Sequence, residues 1–429
     1  MVDSETDSIA THHSLPSADT ARFSTRTAIG LGAATFLLMV PVTLIVPVLK
    51  PLIADRFGAS TFATHSFMWV NTLGAMAAAP LLALLSDRGK GRGRIVMVAL
   101  LLDGALLFGM SLVPSLGLLL FLRAVEGACH LLALSAMMAA AADSAAATQR
   151  GRMMGVVGSC MMLGTAAGTR LGGVVWQVWP GRSFEVAALV AVAAAFFAWG
   201  VVPEGAARRG GRRLRDALTL LGERRGLLIA YSYTFIDRFC VGVIISSLVL
   251  FLGSIHELQP EAISKLLVLF LGPFALLIYP AGRLVDRIGF TLPLVVGSAA
   301  FGVLFASYGF APVGWLPAVM VVSGVVSSIM FAPTLSLCAA LTPTGGRGSA
   351  YAGFNLAGSL GFVCGPLVAG AVCGGLQATI GPAAAFRVAF VVAGASQLVC
   401  AAVTLPRLMR VQRELRVGKP SGQAEAARV

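Results

Sequence analysis

Charged residues are scarce in this chain of 429 residues: they make up 12% of it, whereas hydrophobic residues make up 57%. A soluble globular domain carries about 25% charged residues. The scarcity excludes a chain that folds mainly in water and indicates one surrounded mostly by lipid. A helix that crosses a bilayer uses roughly 20 apolar residues, so twelve such helices would fill well over half of the length. No large soluble domain fits beside them.

Several kinds of functional site are missing as well. The seven cysteines fall inside apolar runs without metal-ligand spacing, which favours buried hydrophobic roles. The sequence shows no Ser/His/Asp order, glycine-rich phosphate loop or ATP-binding motif, and His130 is interpreted as the only histidine within a membrane helix. We therefore expect no enzyme, no cofactor and no metal site. The net charge of +13 does not indicate nucleic-acid binding, because the basic residues lie between apolar runs.

The beginning of the sequence lacks a secretory signal. The first 21 residues contain no Lys or Arg and include four acidic residues, whereas a signal needs a basic start and an apolar core. We expect a disordered cytoplasmic tail there.

Twelve apolar segments follow one another along the chain. They are 29–49, 62–85, 95–113, 116–141, 153–175, 184–202, 227–252, 262–282, 291–310, 315–338, 349–374 and 383–405. In lipid, only a helix satisfies all backbone hydrogen bonds within such a segment. The sequence therefore predicts an all-α membrane protein of twelve transmembrane helices in two six-helix bundles. The predicted divisions are an N-terminal tail (1–28), an N-terminal bundle (29–202), a basic linker (203–226), a C-terminal bundle (227–405) and a basic C-terminal tail (406–429).

Basic residues indicate the orientation of these helices. If the N-terminus is cytoplasmic, 24 of the 32 Lys and Arg residues lie in cytoplasmic segments, five lie outside and three lie within helices. Cytoplasmic loops are enriched in basic residues. We therefore expect both termini and the linker in the cytoplasm.

Two short segments, one in each half of the chain, are alike. Residues 83–92 read Ala-Leu-Leu-Ser-Asp-Arg-Gly-Lys-Gly-Arg, and residues 282–289 read Gly-Arg-Leu-Val-Asp-Arg-Ile-Gly. This internal repeat indicates that one six-helix unit occurs twice.

Both segments resemble the loop signature G-x-L-x-D-R-x-G-R of the major facilitator superfamily. The first has Ala83 in place of the opening glycine and one extra residue before Gly91. The resemblance implies the major facilitator fold and a gating role for these loops, whereas anchoring by positive charge is the alternative. The gating residues implied are Asp87, Arg88, Asp286, Arg287 and Gly282.

Glycines in the fifth segment resemble the antiporter signature G-x8-G-x3-G-P-x2-G-G of the drug:proton exchanger branch. They are Gly155, Gly164, Gly168, Gly172 and Gly173, and Thr169 stands at the proline position. Because glycine lets helix backbones approach closely, this ridge suits a sliding interface between the bundles. Static helix packing is the alternative.

Charges inside the predicted helices are candidates for the transport site. A charge near mid-bilayer costs at least about 2.5 kcal/mol, so it needs a partner or a wet cavity. Arg123, Glu126 and Gly127 resemble the family's R-x-x-Q-G element, and Glu126 can reach Arg123 along one helix face. The family implies that helices 1, 4, 7 and 10 line a central cavity, where Arg123 would act with a protonatable carboxylate. A structural ion pair is the alternative.

The seventh segment carries Asp237 and Arg238 near its middle. Adjacent helical residues point about 100° apart, so each needs its own partner. Asp237 is the leading candidate for a proton or cation carrier, unless it permanently neutralises another charge. Asp103 is expected to brace helix 2 or 4. Arg170 is expected to contact an anionic substrate, seal the outer gate or form a structural pair. The candidates for proton coupling or the substrate cavity are thus Arg123, Glu126, Asp237, Arg238, Asp103 and Arg170.

These observations predict a secondary active transporter that moves a small amphipathic or drug-like solute by alternating access, as proton-coupled efflux. A metabolite symporter or uniporter of the same fold, or a transport-inactive sensor or scaffold, is the alternative. The expected partners are a small-molecule substrate, protons and the lipid bilayer, with no nucleic acid. We expect a monomer in the bacterial inner membrane. The sequence does not identify the substrate.

Overall fold

The computed structural model describes residues 25–86, 91–145, 150–203, 226–342 and 347–417. These residues form twelve long helices. In chain order they are α1 (Thr25–Leu44), α2 (Thr61–Ser86), α3 (Arg92–Leu112), α4 (Leu116–Asp143), α5 (Arg150–Val178), α6 (Ser183–Val201), α7 (Leu227–Ser254), α8 (Pro260–Ile288), α9 (Thr291–Ser307), α10 (Leu316–Ala340), α11 (Arg347–Ile380) and α12 (Pro382–Val417).

The outer surface of these helices is apolar. Phe108, Phe121 and Leu189 are 50%, 63% and 69% exposed. Within the described residues, nine helical spans are long and apolar enough to cross a membrane. A large exposed apolar surface is unfavourable in water but suits contact with lipid. Lipid also requires that backbone groups be hydrogen-bonded internally, which the helices achieve. The prediction of a multi-pass all-α membrane protein is confirmed.

The two halves of the chain pack in the same pattern. In the first half, α1 packs on α5 and α6, α2 packs on α4, and α3 packs on α4 and α6. In the second half, α7 packs on α11 and α12, α8 packs on α10, and α9 packs on α10 and α12. Each contact thus recurs six helices later, which confirms two pseudo-symmetric six-helix bundles.

The bundles meet through two helix pairs, α2 with α11 and α5 with α8. One large hydrophobic cluster contains residues of both bundles, among them Leu44, Phe67, Leu248 and Phe270. We call the end of the molecule that holds this cluster the shared end. It is the end at which α1 and α7 finish.

At the opposite end, where α1 begins and α12 finishes, the buried apolar residues form separate clusters in the two bundles. The N-terminal bundle has a cluster around Leu31, and the C-terminal bundle has one around Leu227. We call this the split end. The level between the shared cluster and the two separate clusters is the middle layer.

Irregular turns lie at corresponding places in the two bundles. A π-helical turn, Lys50–Asp55, follows α1, and another, Ile244–Leu248, lies within α7. Both belong to the shared end, where the end of α1 contacts the end of α7.

The helix ends differ slightly from the predicted divisions. Helix α1 begins at Thr25, within the predicted tail, and α12 continues through Pro406 to Val417, beyond the predicted end at residue 405. Residues 1–24, 204–225 and 418–429 lie outside the described part, so the predicted tails and linker stay predictions there.

Candidate functional site

The middle layer of the N-terminal bundle holds a buried ion pair. Arg123 donates to Glu126 Oε2 over 2.8 Å, one helical turn away on α4. Asn71 of α2 donates to the same oxygen. The Arg123 guanidinium also lies 4.6 Å from the centre of the Phe67 ring. The pairing of Arg123 with Glu126 that the sequence allowed is present.

Asp103 of α3 lies beside this pair. One ligand atom each from Asp103, Glu126 and His130 lie within 4.8 Å of one another. Asp103 and Glu126 are fully buried and His130 is 9% exposed. Both Asp103 oxygens, Glu126 Oε1 and His130 Nδ1 are enclosed without a hydrogen-bond partner among the described residues. We call Asp103, Arg123, Glu126 and His130 the acidic cluster.

The acidic cluster is not balanced in charge. Arg123 compensates one carboxylate, and a second unpaired charge in a low-dielectric layer is costly. The cluster is neutral when it holds one further proton, on a carboxyl group or on the His130 ring. Three such donors could also hold a metal ion, but a divalent cation beside Arg123 would leave one uncompensated positive charge. The absence of a metal site stays a prediction.

Asp237 of α7 faces α12. Gln397 Nε2 donates to Asp237 Oδ1 over 2.9 Å, and Asp237 Oδ2 is enclosed without a partner among the described residues. Cys240, one turn further along α7, also contacts α12 through the Ala393 carbonyl. Asp237 does not pair with Arg123 or Arg170, so the neutralising role considered from the sequence has no support in this arrangement.

Arg238 points away from α12. Its guanidinium carbon lies 5.4 Å from the Phe331 ring centre on α10 and 5.2 Å from the Phe362 ring centre on α11. The two adjacent charged side chains of α7 therefore lie in different surroundings, as their 100° separation around the helix predicted.

Polar contacts between the bundles lie at the shared end. Arg170 of α5 contacts Glu261 Oε1 at 3.1 Å and Ser264 Oγ at 3.3 Å, both on α8. On the other pair of helices, His65 Nε2 of α2 lies 2.8 Å from Ser247 Oγ of α7. Because His65 Nδ1 donates to the Thr61 carbonyl, the neutral ring accepts a hydrogen bond from Ser247. Of the roles considered for Arg170, this placement fits a seal between bundles.

The glycine ridge of α5 has two different faces. Gly164 packs against the backbone of Phe36, and Gly168 against Val40, both on α1 of the same bundle. Gly172 likewise meets α1, at Leu44, while Gly155 has open space around it. These placements favour static packing for the ridge.

Gly173 is the exception, because it faces Ser264 and Glu261 of α8. The second bundle repeats the design: Gly361 and Gly365 of α11 pack on α7, and Gly370 faces His65 of α2. Glycines of both α5 and α11 therefore lie in the interface between the bundles, since Gly374 of α11 also faces α2, at Phe62.

The loop signatures are only partly within the described residues. Asp87 and Arg88 lie outside them, as does the side chain of Asp286. Gly282 and the exposed Arg287 lie in the last turns of α8, which ends at Ile288 and is followed by Gly289 with a φ of +84°. Glycine adopts this conformation without steric cost, which explains the residue type at the end of the signature. The gating role stays a prediction.

Several polar residues of these sites escaped the sequence interpretation. His65 is fully buried in α2, within the apolar segment 62–85, so the interpretation of His130 as the only histidine in a membrane helix is wrong. Asn71 and Gln397 hold the carboxyl groups, and an amide inside an apolar segment was the available signal. Arg92, the last residue of the first signature, is buried and contacts Asp143 Oδ2 at 2.7 Å, which links the start of α3 to the end of α4.

Known proteins resemble this chain in sequence. A family model described as Major Facilitator Superfamily matches residues 31–236 and again residues 227–428. The tetracycline resistance protein, class G, of Vibrio anguillarum is 29% identical over 290 residues, which cover 64% of this chain and 71% of that protein.

Solved structures resemble it in fold. A bacterial homolog of the human lysosomal transporter Spinster, in an inward-facing and unoccupied conformation, superposes with a TM-score of 0.75 at 15% identity, covering 92% of this chain and 98% of that one. The nucleoside transporter NupG gives 0.73 at 13% identity, covering 89% and 98%. The human organic anion transporter MFSD10 gives 0.62 at 18% identity, covering 88% and 98%. At such identities the likeness shows the fold alone.

Proposed function

The chain belongs to the Major Facilitator Superfamily, and we propose that it is a proton-coupled exporter of drug-like solutes that works by alternating access. As a member of this family of transporters it is a multi-pass membrane protein, and its sequence offers no catalytic constellation. The proposal adds three elements: the residue that carries the proton, the side of the membrane that the gate faces and the class of solute.

The observation that carries the proposal is the acidic cluster. Two enclosed carboxyl groups lie beside one arginine, which bonds only Glu126, and five of the cluster's polar atoms have no hydrogen-bond partner among the described residues. An ionisable group inside a membrane protein is by default a candidate for a proton pathway. Since the cluster is neutral with one further proton, that proton can be taken up and released in each cycle. Asp103 is the preferred carrier, because within the described part of the chain neither of its oxygens has a hydrogen-bond partner in this geometry.

The surroundings of Asp103 support this assignment. Helix α4 presents Arg123, Glu126 and Cys129 on this side, α2 presents Asn71, and α6 presents alanines beside Gly104. Arg123 is thus the cation that is available to interact with the Asp103 carboxylate when the proton leaves. Asp237, which accepts a hydrogen bond from Gln397 of α12, becomes the second candidate.

The contacts at the shared end support a gate. An ion pair, hydroxyl groups and interfacial glycines join the bundles there, and such polar contacts exchange readily for water when helices separate. Together with the distribution of Lys and Arg, which favours a cytoplasmic N-terminus, this supports a shared end that faces the outside. In a bacterial inner membrane, this conformation is then open to the cytoplasm at the split end. Rocking of the bundles would open the shared end to the outside.

The solute class is proposed from likeness to the tetracycline resistance protein of Vibrio anguillarum. Everted vesicles from cells that express the protein test this directly. With the lumen acidified, they are expected to accumulate tetracycline, and a protonophore should abolish accumulation. Uptake that is independent of the pH gradient and stops when the two sides reach equal concentration would favour a uniporter, and no flux of any compound in a substrate panel would favour the sensor or scaffold.

Asp103→Asn tests the proton site in the same vesicles. The variant is expected to lose pH-driven accumulation but to keep exchange of labelled for unlabelled tetracycline, since exchange needs no net proton movement. Asp55→Asn, at an exposed position of the shared end, serves as the matched control. Accumulation by Asp103→Asn at the wild-type rate would refute the assignment.

A further inference from the structure

Arg238 has no direct ion-pair partner among the described residues, and the nearest opposite charge, Asp237, acts on it only at a distance. It forms neither a salt bridge nor a hydrogen bond within the described residues, and its contacts are the rings of Phe331 and Phe362. The neighbouring carboxylate of Asp237 is directed at Gln397 instead. A positive charge at this depth needs an anion or water.

The guanidinium of Arg238 is also reachable. Enclosed side-chain atoms without partners include Arg123 Nε and Asp237 Oδ2, but none of the nitrogens of Arg238. Since these nitrogens have no protein partner and the Arg238 side chain is half-buried rather than enclosed, part of the guanidinium stays accessible. Arg238 lies between α10 and α11, on the opposite side of α7 from α12.

The position of Arg238 along α7 matches a transport site. Tyr233 belongs to the cluster of the split end, and Phe239 belongs to the shared cluster. Arg238 therefore lies in the middle layer, where the barrier on the shared side begins. A solute entering from the split end would meet it there.

We propose that Arg238, Phe331 and Phe362 form the binding site for the anionic part of the substrate, which is an amphipathic aromatic anion. The guanidinium offers a fork of N–H donors that fits a carboxylate or similar planar anion, and the two phenyl rings offer apolar faces to an adjoining ring system. The role in transport rests on the proposed function, whereas binding does not depend on it. The acidic cluster repels the same anion until it is protonated.

Binding to the purified protein in detergent tests this site without a transport assay. Isothermal titration calorimetry compares 2-naphthoate with its neutral amide, 2-naphthamide, which has the same ring. The wild type is expected to bind the naphthoate at least about tenfold more tightly, the size of a charge-assisted hydrogen bond. Equal binding of the two compounds, or binding of neither, would overturn the proposal.

Variants assign the preference to Arg238. Arg238→Gln is expected to bind the two compounds equally, and Arg238→Lys to keep a weaker preference for the anion. Phe362→Leu should weaken the binding of both compounds by a similar factor. Size-exclusion profiles check folding; if Arg238→Gln aggregates, the lysine variant and the wild-type comparison still decide. A glutamine variant that keeps the full preference would overturn the assignment.

Tetracycline transport separates this inference from the proposed function. Naphthoate binding that depends on Arg238, without any tetracycline accumulation, would leave the site standing and reject the proposed solute. Tetracycline accumulation, combined with equal binding of naphthoate and naphthamide, would support the proposed function and reject the anion site at Arg238.

Discussion

Gly173→Ala is expected to push the two bundles apart at the shared end. A Cβ atom at Gly173 would lie 2.6 Å from Ser264 Cβ and 2.9 Å from the Glu261 Cα atom, whereas ordinary contacts begin near 3.4 Å. Helix α8 must therefore retreat by nearly an ångström. Overpacking of this kind costs about 1–3 kcal/mol, which shifts the equilibrium away from the closed shared end by about 5- to 150-fold.

Two matched variants distinguish separation of the bundles from a loss of stability within one bundle and from a change in helix propensity. Gly168→Ala creates a comparable collision, with Val40 Cα at 2.8 Å, but inside the N-terminal bundle, so it should lower thermal stability rather than move the bundles. Gly155→Ala meets nothing within 4 Å and controls for the higher helix propensity of alanine, about 1 kcal/mol.

Spin-label distances provide the assay. Labels on Ser60→Cys and Ala378→Cys, in a background without native cysteines, lie on the exposed ends of α2 and α11 at the shared end. Gly173→Ala is expected to broaden this distance distribution towards longer values, with thermal unfolding near that of the wild type. An unchanged distribution, or a loss of stability equal to that of Gly168→Ala, would refute the interfacial role of Gly173.

Three further outcomes are expected. Asp237→Asn should keep pH-driven tetracycline accumulation in everted vesicles, because an amide oxygen still accepts from Gln397; its loss would return the proton site to the position first inferred from the sequence. Arg92→Ala should lower the free energy of unfolding by about 1–3 kcal/mol, since it removes the guanidinium 2.7 Å from the mostly buried Asp143 carboxylate; unchanged thermal unfolding would contradict this. Arg170→Ala should shift the spin-label distances less than Gly173→Ala does, because its pair with Glu261 is 36% exposed on the arginine side and worth less than about 1 kcal/mol; an equal shift would count against this.

The fold was accessible from the sequence because lipid leaves few choices to the backbone. Twelve apolar runs and one repeated loop signature were enough to predict two six-helix bundles, and the contacts of α1 with α5 and of α7 with α11 repeat as the duplication requires. Helix ends were harder, since α12 continues past Pro406 into a basic sequence where hydropathy gives no signal.

The candidate sites depend on helix rotation, which hydropathy does not encode. The one-turn spacing of Arg123 and Glu126 revealed their pairing. Asp103 came next to them because of the way α3 packs on α4, a tertiary contact without a local signature. Similarly, nothing in the order Asp237-Arg238 told which residue faces α12 and which faces α10 and α11.

The clusters above and below the middle layer also determine where an electrical potential would fall. With water reaching the layer from the split end, the shared cluster around Leu44 and Leu248 is the insulating part of the path. Almost the whole membrane voltage then drops across it, about 2.3 kcal/mol per elementary charge at 100 mV. In the proposed transport cycle, rocking of the bundles moves the insulating part to the other side of Asp103 and Arg238. A proton or anion bound there would then traverse the field while remaining nearly stationary within the protein.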